Sequence, residues 1–175
     1  MSADQTVYVA QGEFQTSNQP NVVFSTVLGS CVAACIWDPD LAIGGLNHFL
    51  LAQTSETDRS GSSRYGVHAM EMLINDLLKK GARRKALQAK LFGGAMMASN
   101  LGDIGTNNAK FARSFLAAEE IPCLAESLGG TNARRIIFRP TTGHVRQLIV
   151  ESNDFIEKID RVSPAAKPAA QAILF

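Results

Sequence analysis

Two apolar stretches on either side of a turn signal constrain the fold of this chain more than any other feature. The first, "CVAACIWD", ends at Asp38, and the second, "AIGGLNHFLL", begins at Ala42. The segment Asp38-Pro39-Asp40 is typical of a tight turn, because proline presets the backbone angle that the second turn position requires. The pattern therefore predicts a β-hairpin made of two largely buried strands.

The register of this hairpin decides which side chains share a face of the sheet. If Asp38 faces Leu41 across the turn, Cys31 stands directly opposite His48, with Cβ atoms about 4.5–5.5 Å apart. A loop two residues longer places the pair on a diagonal but keeps the shared face, whereas an odd change in loop length separates the two side chains. A helical interpretation of "SCVAACIW" removes the pairing altogether.

A cysteine beside a histidine is suited to nucleophilic catalysis. A free thiol has a pKa of about 8.5, and an imidazole within hydrogen-bond reach can accept its proton and later return it to a leaving group. A third group must then hold the imidazole in the correct tautomer, and the hydroxyls of Ser25 and Thr26 are close in sequence. The turn "LGS" before the cysteine can direct backbone N–H groups at a developing oxyanion.

Two other interpretations use the same atoms. Cysteine is among the most buried residue types, so Cys31 and His48 can simply be core residues. A metal site made of Cys31, Cys35 and His48 is disfavoured, because this spacing is not a standard zinc pattern and no further Cys or His pair completes it. The remaining cysteines and histidines are interpreted as core or surface residues: Cys35, Cys123, His68 and His144.

The rest of the chain alternates between strand and helix patterns. Strands are predicted at 7–14 and 21–28, in "KLFGGAMM", and in the last third at "IPCLAESL", "RRIIFRP" and "HVRQLIV". Apolar residues spaced by three and four predict a helix at 65–80. A second helix is predicted at 108–120, ending before Pro122, and a short one at 153–162. Segment 52–64 is predicted to be a mobile surface loop, and the basic segment 79–90 a solvated surface. Strands at both ends with two helices between them favour an α/β fold in which sheets are covered by helices on one side.

Length and composition exclude several classes of protein. A chain of 175 residues has the size of one domain, which we place at 1–162, followed by a Pro- and Ala-rich tail at 163–175 that is expected to be flexible. A net charge of +1 gives no reason to expect nucleic acid as a partner. No apolar run is long enough for membrane insertion, and the first residues do not resemble a signal peptide. Three cysteines do not make a disulfide framework, so a cytoplasmic protein with reduced thiols is expected.

The blocks "GSCVAACIWDP" and "GGLNHFLL" resemble the signature of the CheD family, the chemoreceptor glutamine deamidases of bacterial chemotaxis. The similarity continues through "RYGVHAMEMLINDLLKKGA", "AKLFGGAMM", "IGTNN", "EEIPCLAESLGG" and "RRIIFRPTTGHV", and so extends over residues 7–150. The resemblance implies a cysteine hydrolase with a layered α/β/β sandwich of mixed, mostly antiparallel sheets and helices on one side, similar to toxin deamidases.

The resemblance also implies roles for individual residues. Cys31 matches the nucleophile of the family, and His48, 17 residues later, matches its histidine. The third member is usually a threonine six residues before the cysteine, a position that Ser25 occupies here, with Thr26 next to it. Either serine is tolerated at this position or Thr26 takes the role.

The implied activity is hydrolysis of glutamine side chains to glutamate on methyl-accepting chemoreceptors, through a Cys31 thioester and without cofactor or metal. The expected partners are the cytoplasmic domains of those receptors and, as in relatives, a CheC-type phosphatase. The alternative is a non-catalytic adaptor that binds chemoreceptors and retains the fold.

Overall fold

The predicted hairpin lies at the centre of one of two sheets. This computed structural model describes residues 3–51, 59–98, 103–151 and 172–175, which form ten strands and two α-helices. In chain order the elements are β1 (Gln5–Tyr8), β2 (Phe14–Ser17), β3 (Val22–Leu28), β4 (Val32–Asp38), β5 (Ile43–Phe49), α1 (Arg59–Lys79), β6 (Gln88–Gly93), α2 (Ile104–Ala118), β7 (Cys123–Leu128), β8 (Ala133–Arg139), β9 (His144–Val150) and β10 (Ala172–Leu174). Within these ranges no helix has the length and apolar character needed to cross a bilayer.

The hairpin loop is two residues longer than the tightest turn that the sequence allows. Strands β4 and β5 pair in an antiparallel register in which Asp38 faces Ile43 instead of Leu41. The Asp38 carboxylate accepts the backbone N–H groups of Asp40 at 3.0 Å and Leu41 at 3.2 Å, which stabilises the longer loop. Because the change is an even number of residues, the faces of both strands are those that the sequence predicted.

The strands form two five-stranded sheets. The central sheet has the strand order β2-β5-β4-β6-β7, and the outer sheet has the order β1-β3-β8-β9-β10. Most neighbouring strands are antiparallel, and the two exceptions are the parallel pairs β6–β7 and β1–β3. This strand arrangement agrees with the mixed, mostly antiparallel sheets that the family resemblance implied.

Three layers result because both faces of the central sheet are covered. One face of β4 packs with both helices and consists of Val32, Ala34 and Ile36. The other face packs against the outer sheet and consists of Ala33, Cys35 and Trp37. A strand covered on both sides reads as a continuous apolar run rather than as an alternation, as "CVAACIW" does. The layered α/β/β arrangement with helices on one side is therefore confirmed.

Several element boundaries differ from the prediction. Helix α1 begins at Arg59 and not at Tyr65, so residues 59–64 of the predicted loop are helical, and α2 begins at Ile104 instead of Asn108. Serine and glycine are weak helix formers, but a helix that is already nucleated by its buried face extends through them at low cost. The rest of the predicted loop, 52–58, lies outside the described residues.

The structure also differs from the prediction at the two ends of the chain. The predicted strand at 7–14 is broken by a turn at Gln11 and Gly12, so it forms β1 and β2, which belong to different sheets. At the other end, β10 pairs with β9, and the ring of Phe175 packs on Phe92 with centroids 5.5 Å apart. This described part of the tail is a strand because the edge of β9 offers unpaired backbone groups to it. The predicted helix at 153–162 lies outside the described residues.

The basic segment 79–90 is a solvated surface for most of its length. Arg83 and Arg84 are half-exposed and form ion pairs with acidic side chains. Lys90 differs, because its stem is buried, its Nζ donates to the Gly143 carbonyl at 2.8 Å, and the same atom lies 5.4 Å from the centre of the Trp37 ring. The prediction is therefore wrong for Lys90, whose position on a central strand decides its burial.

Gly143 leads to a prediction about stability. It adopts φ +75° in the turn between β8 and β9, and a Cβ added there would lie 2.2 Å from Trp37 Cε2. We expect Gly143→Ala to lower the free energy of unfolding by about 2–5 kcal/mol, as the sum of left-handed strain and overpacking. Gly129→Ala is the matched control, because Gly129 has φ +86° and no atom within 4 Å of the added Cβ. Equal losses for the two variants in urea unfolding would contradict a packing role for Gly143.

Candidate active site

Cys31 and His48 lie on the same face of the central sheet. His48 pairs with Ala33 in the β4–β5 register, and Cys31 is two residues before Ala33, so the two side chains are diagonal neighbours. Both are buried, with exposed fractions of 8% for Cys31 and 5% for His48. The face that they share is the one directed at the outer sheet. The diagonal arrangement is the one that the sequence predicted for the longer loop.

A hydroxyl of the outer sheet holds the imidazole. Thr26 Oγ1 lies 2.8 Å from His48 Nδ1 and 2.7 Å from the carbonyl oxygen of Val9. A carbonyl can only accept, so the single hydroxyl proton of Thr26 is donated to Val9. The hydroxyl oxygen must therefore accept a proton from Nδ1, which places the hydrogen of the neutral ring on Nδ1.

The other ring nitrogen, His48 Nε2, is left with a free lone pair. It is buried and has no hydrogen-bond partner among the described residues. Burial lowers the pKa of His48 from its ordinary value of 6.5, and the nearby Val9 carbonyl only partly opposes this effect. The ring is therefore neutral near neutral pH and can accept a proton at Nε2.

Ser25 is the other hydroxyl that the sequence indicates. Successive side chains of a strand point to opposite faces of the sheet, so Ser25 and Thr26 cannot both face the imidazole. Among the described residues, His48 has no hydrogen bond with Ser25, whose backbone carbonyl instead accepts the N–H of Val9 at 2.9 Å. The hydroxyl in contact with the imidazole is that of Thr26.

The thiol of Cys31 is protonated at rest. Burial raises its pKa to about 11, although a hydrogen bond from its own backbone N–H partly lowers it. In the described structure Sγ makes no hydrogen bond with His48 and instead donates to Gln11 Oε1 at 3.5 Å. Catalytic hydrogen bonds are often long or poorly aligned before substrate binds, so the resting geometry is compatible with a later transfer of the thiol proton to Nε2.

Two residues that the sequence did not indicate also contribute to this region. Gln11 contacts the thiol, and its only signal is the "QG" turn dipeptide. Asn108 of α2 is fully buried, and its Nδ2 donates to the Ser30 carbonyl at 2.8 Å while its Oδ1 accepts the Leu51 N–H at 2.9 Å. Asn108 thus connects the residue before Cys31 to the segment that follows β5.

The remaining cysteines and histidines lie away from this constellation. Cys35 is fully buried, and burial raises the pKa of its thiol, whereas Cys123 is exposed on the edge strand β7. His68 and His144 are exposed. Within the described ranges, no three His, Cys, Asp or Glu side chains are grouped closely enough to hold a metal ion. The chemistry available is that of a thiol, an imidazole and a hydroxyl, a combination suited to acyl transfer.

Comparison with known proteins identifies the family. A family model described as "CheD chemotactic sensory transduction" matches residues 50–148, a segment that begins just after His48. The "Probable chemoreceptor glutamine deamidase CheD" of Caulobacter vibrioides (strain NA1000 / CB15N) is 51% identical over 164 residues, which cover 93% of this chain and 88% of that protein. The protein of the same name from Zymomonas mobilis is 54% identical over 160 residues, covering 90% of this chain and 87% of that protein.

A more distant CheD relative extends the similarity over nearly the whole chain. The CheD protein of Agrobacterium fabrum is 45% identical over 177 residues and covers 99% of this chain and 98% of its own length. The solved structure of the hypothetical protein YfiH from Bacillus licheniformis aligns with a TM-score of 0.45 and 12% identity over 71% of this chain and 59% of that one, a likeness too weak to support an argument. The family model and the close relatives agree over most of the sequence, and this chain therefore belongs to the CheD family.

Proposed function

We propose that this protein is a protein-glutamine glutaminase that converts glutamine side chains of methyl-accepting chemoreceptors to glutamate, with Cys31 as nucleophile. The observation that carries the proposal is the bond between Thr26 Oγ1 and His48 Nδ1, which leaves Nε2 as an unpaired base on the face that bears Cys31. The names of close relatives, which specify chemoreceptor glutamine deamidases, support the choice of substrate.

The first half of the reaction forms a thioester. The Cys31 proton passes to His48 Nε2 while the sulfur attacks the carboxamide carbon of the substrate glutamine, which gives a tetrahedral oxyanion. When this intermediate collapses, Nε2–H protonates the departing nitrogen and ammonia leaves. Burial raises the pKa of Cys31 and lowers that of His48, which favours the neutral form of both groups, so we expect the thiolate to form during the attack.

The second half releases the product. Water gives a proton to His48 Nε2 and attacks the thioester carbon, and collapse returns the proton to the Cys31 sulfur as glutamate is freed. Thr26 keeps the same ring nitrogen directed at the reaction throughout, since its own proton is donated to Val9. The product carries a new negative charge on the receptor, which can change the packing of its helices.

The proposal also includes the setting of the reaction. The substrate is the cytoplasmic domain of the receptor, so the protein acts in the cytoplasm. A CheC-type phosphatase is proposed as a second partner on the strength of family resemblance alone, and co-purification with such a protein would test it.

Mass spectrometry of a receptor cytoplasmic domain tests the central claim. After incubation with the protein under reducing conditions, specific glutamine-containing peptides should gain the mass difference between an amide and a carboxylic acid. Prior treatment with iodoacetamide should prevent this change, with the label found on Cys31. A chelator should leave the rate unchanged.

Two results would decide against the enzyme. Receptor binding without any conversion of glutamine supports the adaptor, and inhibition by the chelator but not by iodoacetamide supports a metal hydrolase. Cys123→Ser is the control for the labelling step, because Cys123 is the exposed thiol and competes for the reagent.

The pH dependence of kcat/KM tests the protonation states. His48 accepts a proton only when it is neutral, and burial lowers its pKa, so kcat/KM should rise with pH through an acid limb whose midpoint lies below 6.5. Alkylation of Cys31 in the absence of substrate should instead increase across the alkaline range, since burial raises the thiol pKa to about 11. An acid limb centred above 6.5 would contradict the role given to His48.

A further inference from the structure

Gln11 occupies a tight turn beside the nucleophile. The backbone N–H of Glu13 donates to the carbonyl of Ala10 at 3.0 Å, which closes a four-residue turn from Ala10 to Glu13. Gly12 has φ +85°, the value that the third position of a type II turn requires and that glycine adopts without strain. Gln11 therefore has the second position, where the side chain projects away from the turn.

The turn is fastened to both strands that carry the imidazole and its hydroxyl. The Gly12 N–H donates to the His48 carbonyl at 2.8 Å, and the His48 N–H donates to the Glu13 carbonyl at 3.0 Å. On the other side, the Val9 N–H donates to the Ser25 carbonyl at 2.9 Å. These bonds hold the Gln11 backbone in a fixed position relative to the thiol and the imidazole.

The carboxamide of Gln11 touches the sulfur. The Cys31 thiol donates to Gln11 Oε1 at 3.5 Å, an arrangement suited to the resting thiol. Once the sulfur has lost its proton and attacked, the tetrahedral intermediate beside it carries an oxyanion, which needs a hydrogen-bond donor and not an acceptor. A half-turn about the terminal torsion of glutamine exchanges its oxygen for its NH₂ group, because the two ends have almost the same shape and this torsion is soft.

We propose that Gln11 is a catalytic residue that donates a side-chain N–H to the oxyanion of the tetrahedral intermediate. The oxyanion is bound to the carbon that the sulfur attacks, so a donor in contact with the sulfur is within reach of it. The backbone N–H of Cys31, which lies close to its own sulfur, supplies a second donor. This inference rests on the proposed deamidation and adds the group that stabilises its charged intermediate.

The test compares two reactions of the same sulfur in Gln11→Ala. Deamidation passes through an oxyanion, whereas alkylation by iodoacetamide displaces iodide and forms none. We expect kcat for deamidation to fall by about 10²-fold or more, with KM little changed. The rate of Cys31 alkylation should stay within a few-fold of the wild-type rate.

Two further variants sharpen the comparison. Gln11→Glu keeps the size of the side chain but replaces the donor with a negative charge near neutral pH, so it should lose at least as much kcat as Gln11→Ala. Gln15→Ala is the matched control, because Gln15 is an exposed glutamine on the nearby strand β2, and it should leave both rates unchanged.

Each contrary result has a distinct meaning. An unchanged kcat for deamidation in Gln11→Ala overturns the inference. An increase in the rates of both deamidation and alkylation also overturns it, because it would show that Gln11 shields the thiol. Equal losses in both rates overturn it in favour of a role in positioning the sulfur. If the wild-type protein does not deamidate the receptor, the proposed function fails first and this inference fails with it.

Discussion

Cys31→Ala is expected to abolish deamidation of receptor glutamines while the fold is retained. No thioester can form without the sulfur, and no second thiol can replace it. Cys35 is fully buried within the same sheet, and Cys123 lies on the edge strand β7. The substitution removes one atom from the packing between the sheets, which we expect to cost about 1 kcal/mol of unfolding free energy. Peptide mass spectrometry measures the activity, and thermal unfolding checks the fold.

Cys123→Ser is the matched control for this variant. It removes a thiol that is exposed and makes no contact with His48, so the rate of deamidation should equal that of the wild-type protein. Residual deamidation by Cys31→Ala would assign the nucleophile elsewhere. Loss of activity in Cys123→Ser, with activity retained in Cys31→Ala, would likewise assign the nucleophile to a residue other than Cys31.

Thr26→Val is expected to reduce kcat for deamidation by about 10²–10⁴-fold, the range associated with losing control of a catalytic tautomer. Valine matches threonine in shape but cannot accept a proton from His48 Nδ1. The hydrogen of the neutral ring is then free to move to Nε2, which removes the lone pair that we propose accepts the Cys31 proton. The unpaired Val9 carbonyl should also cost about 1–3 kcal/mol of unfolding free energy, so rates must be compared at a temperature where the variant is folded.

Thr26→Ser and Ser25→Ala separate this effect from simple destabilisation. Thr26→Ser keeps the hydroxyl and should recover most of the lost rate, although without the methyl group its rotamer is less restricted. Ser25→Ala should retain activity, because the hydroxyl in contact with the imidazole belongs to Thr26. A large loss in Ser25→Ala with little loss in Thr26→Val would reverse the assignment.

Features that depend on local pattern could be predicted from the sequence. The apolar runs around Asp38 indicated the hairpin, and a loop with an even number of residues, which the structure shows, places Cys31 and His48 on one face. A difference of two residues in the loop did not matter, since side chains in a strand repeat every two residues. The amphipathic spacing of α1 was equally visible, and a second helix was predicted before Pro122, although the first turns of both helices were missed.

Features that join distant segments could not be predicted in this way. Thr26 and His48 are on strands of different sheets, so the choice between Ser25 and Thr26 depends on how the outer sheet packs on the central one. Gln11 reaches the thiol only because a turn is fastened to His48 by backbone hydrogen bonds. Asn108 brings a helix against both of the segments that carry the pair.

The difference between the features that the sequence predicted and those that it did not has a physical cause. Side chains alternate between the two faces of a strand, so the sequence by itself determined that the thiol and the imidazole share a side for any even loop length, and the structure supplied the even loop. Which hydroxyl and which carboxamide meet them is set by contacts between segments about 20 or more residues apart, and many alternative packings satisfy the same local pattern. Only the tertiary structure, by fixing one of those packings, decided that Thr26 holds the ring and that Gln11 stands at the sulfur.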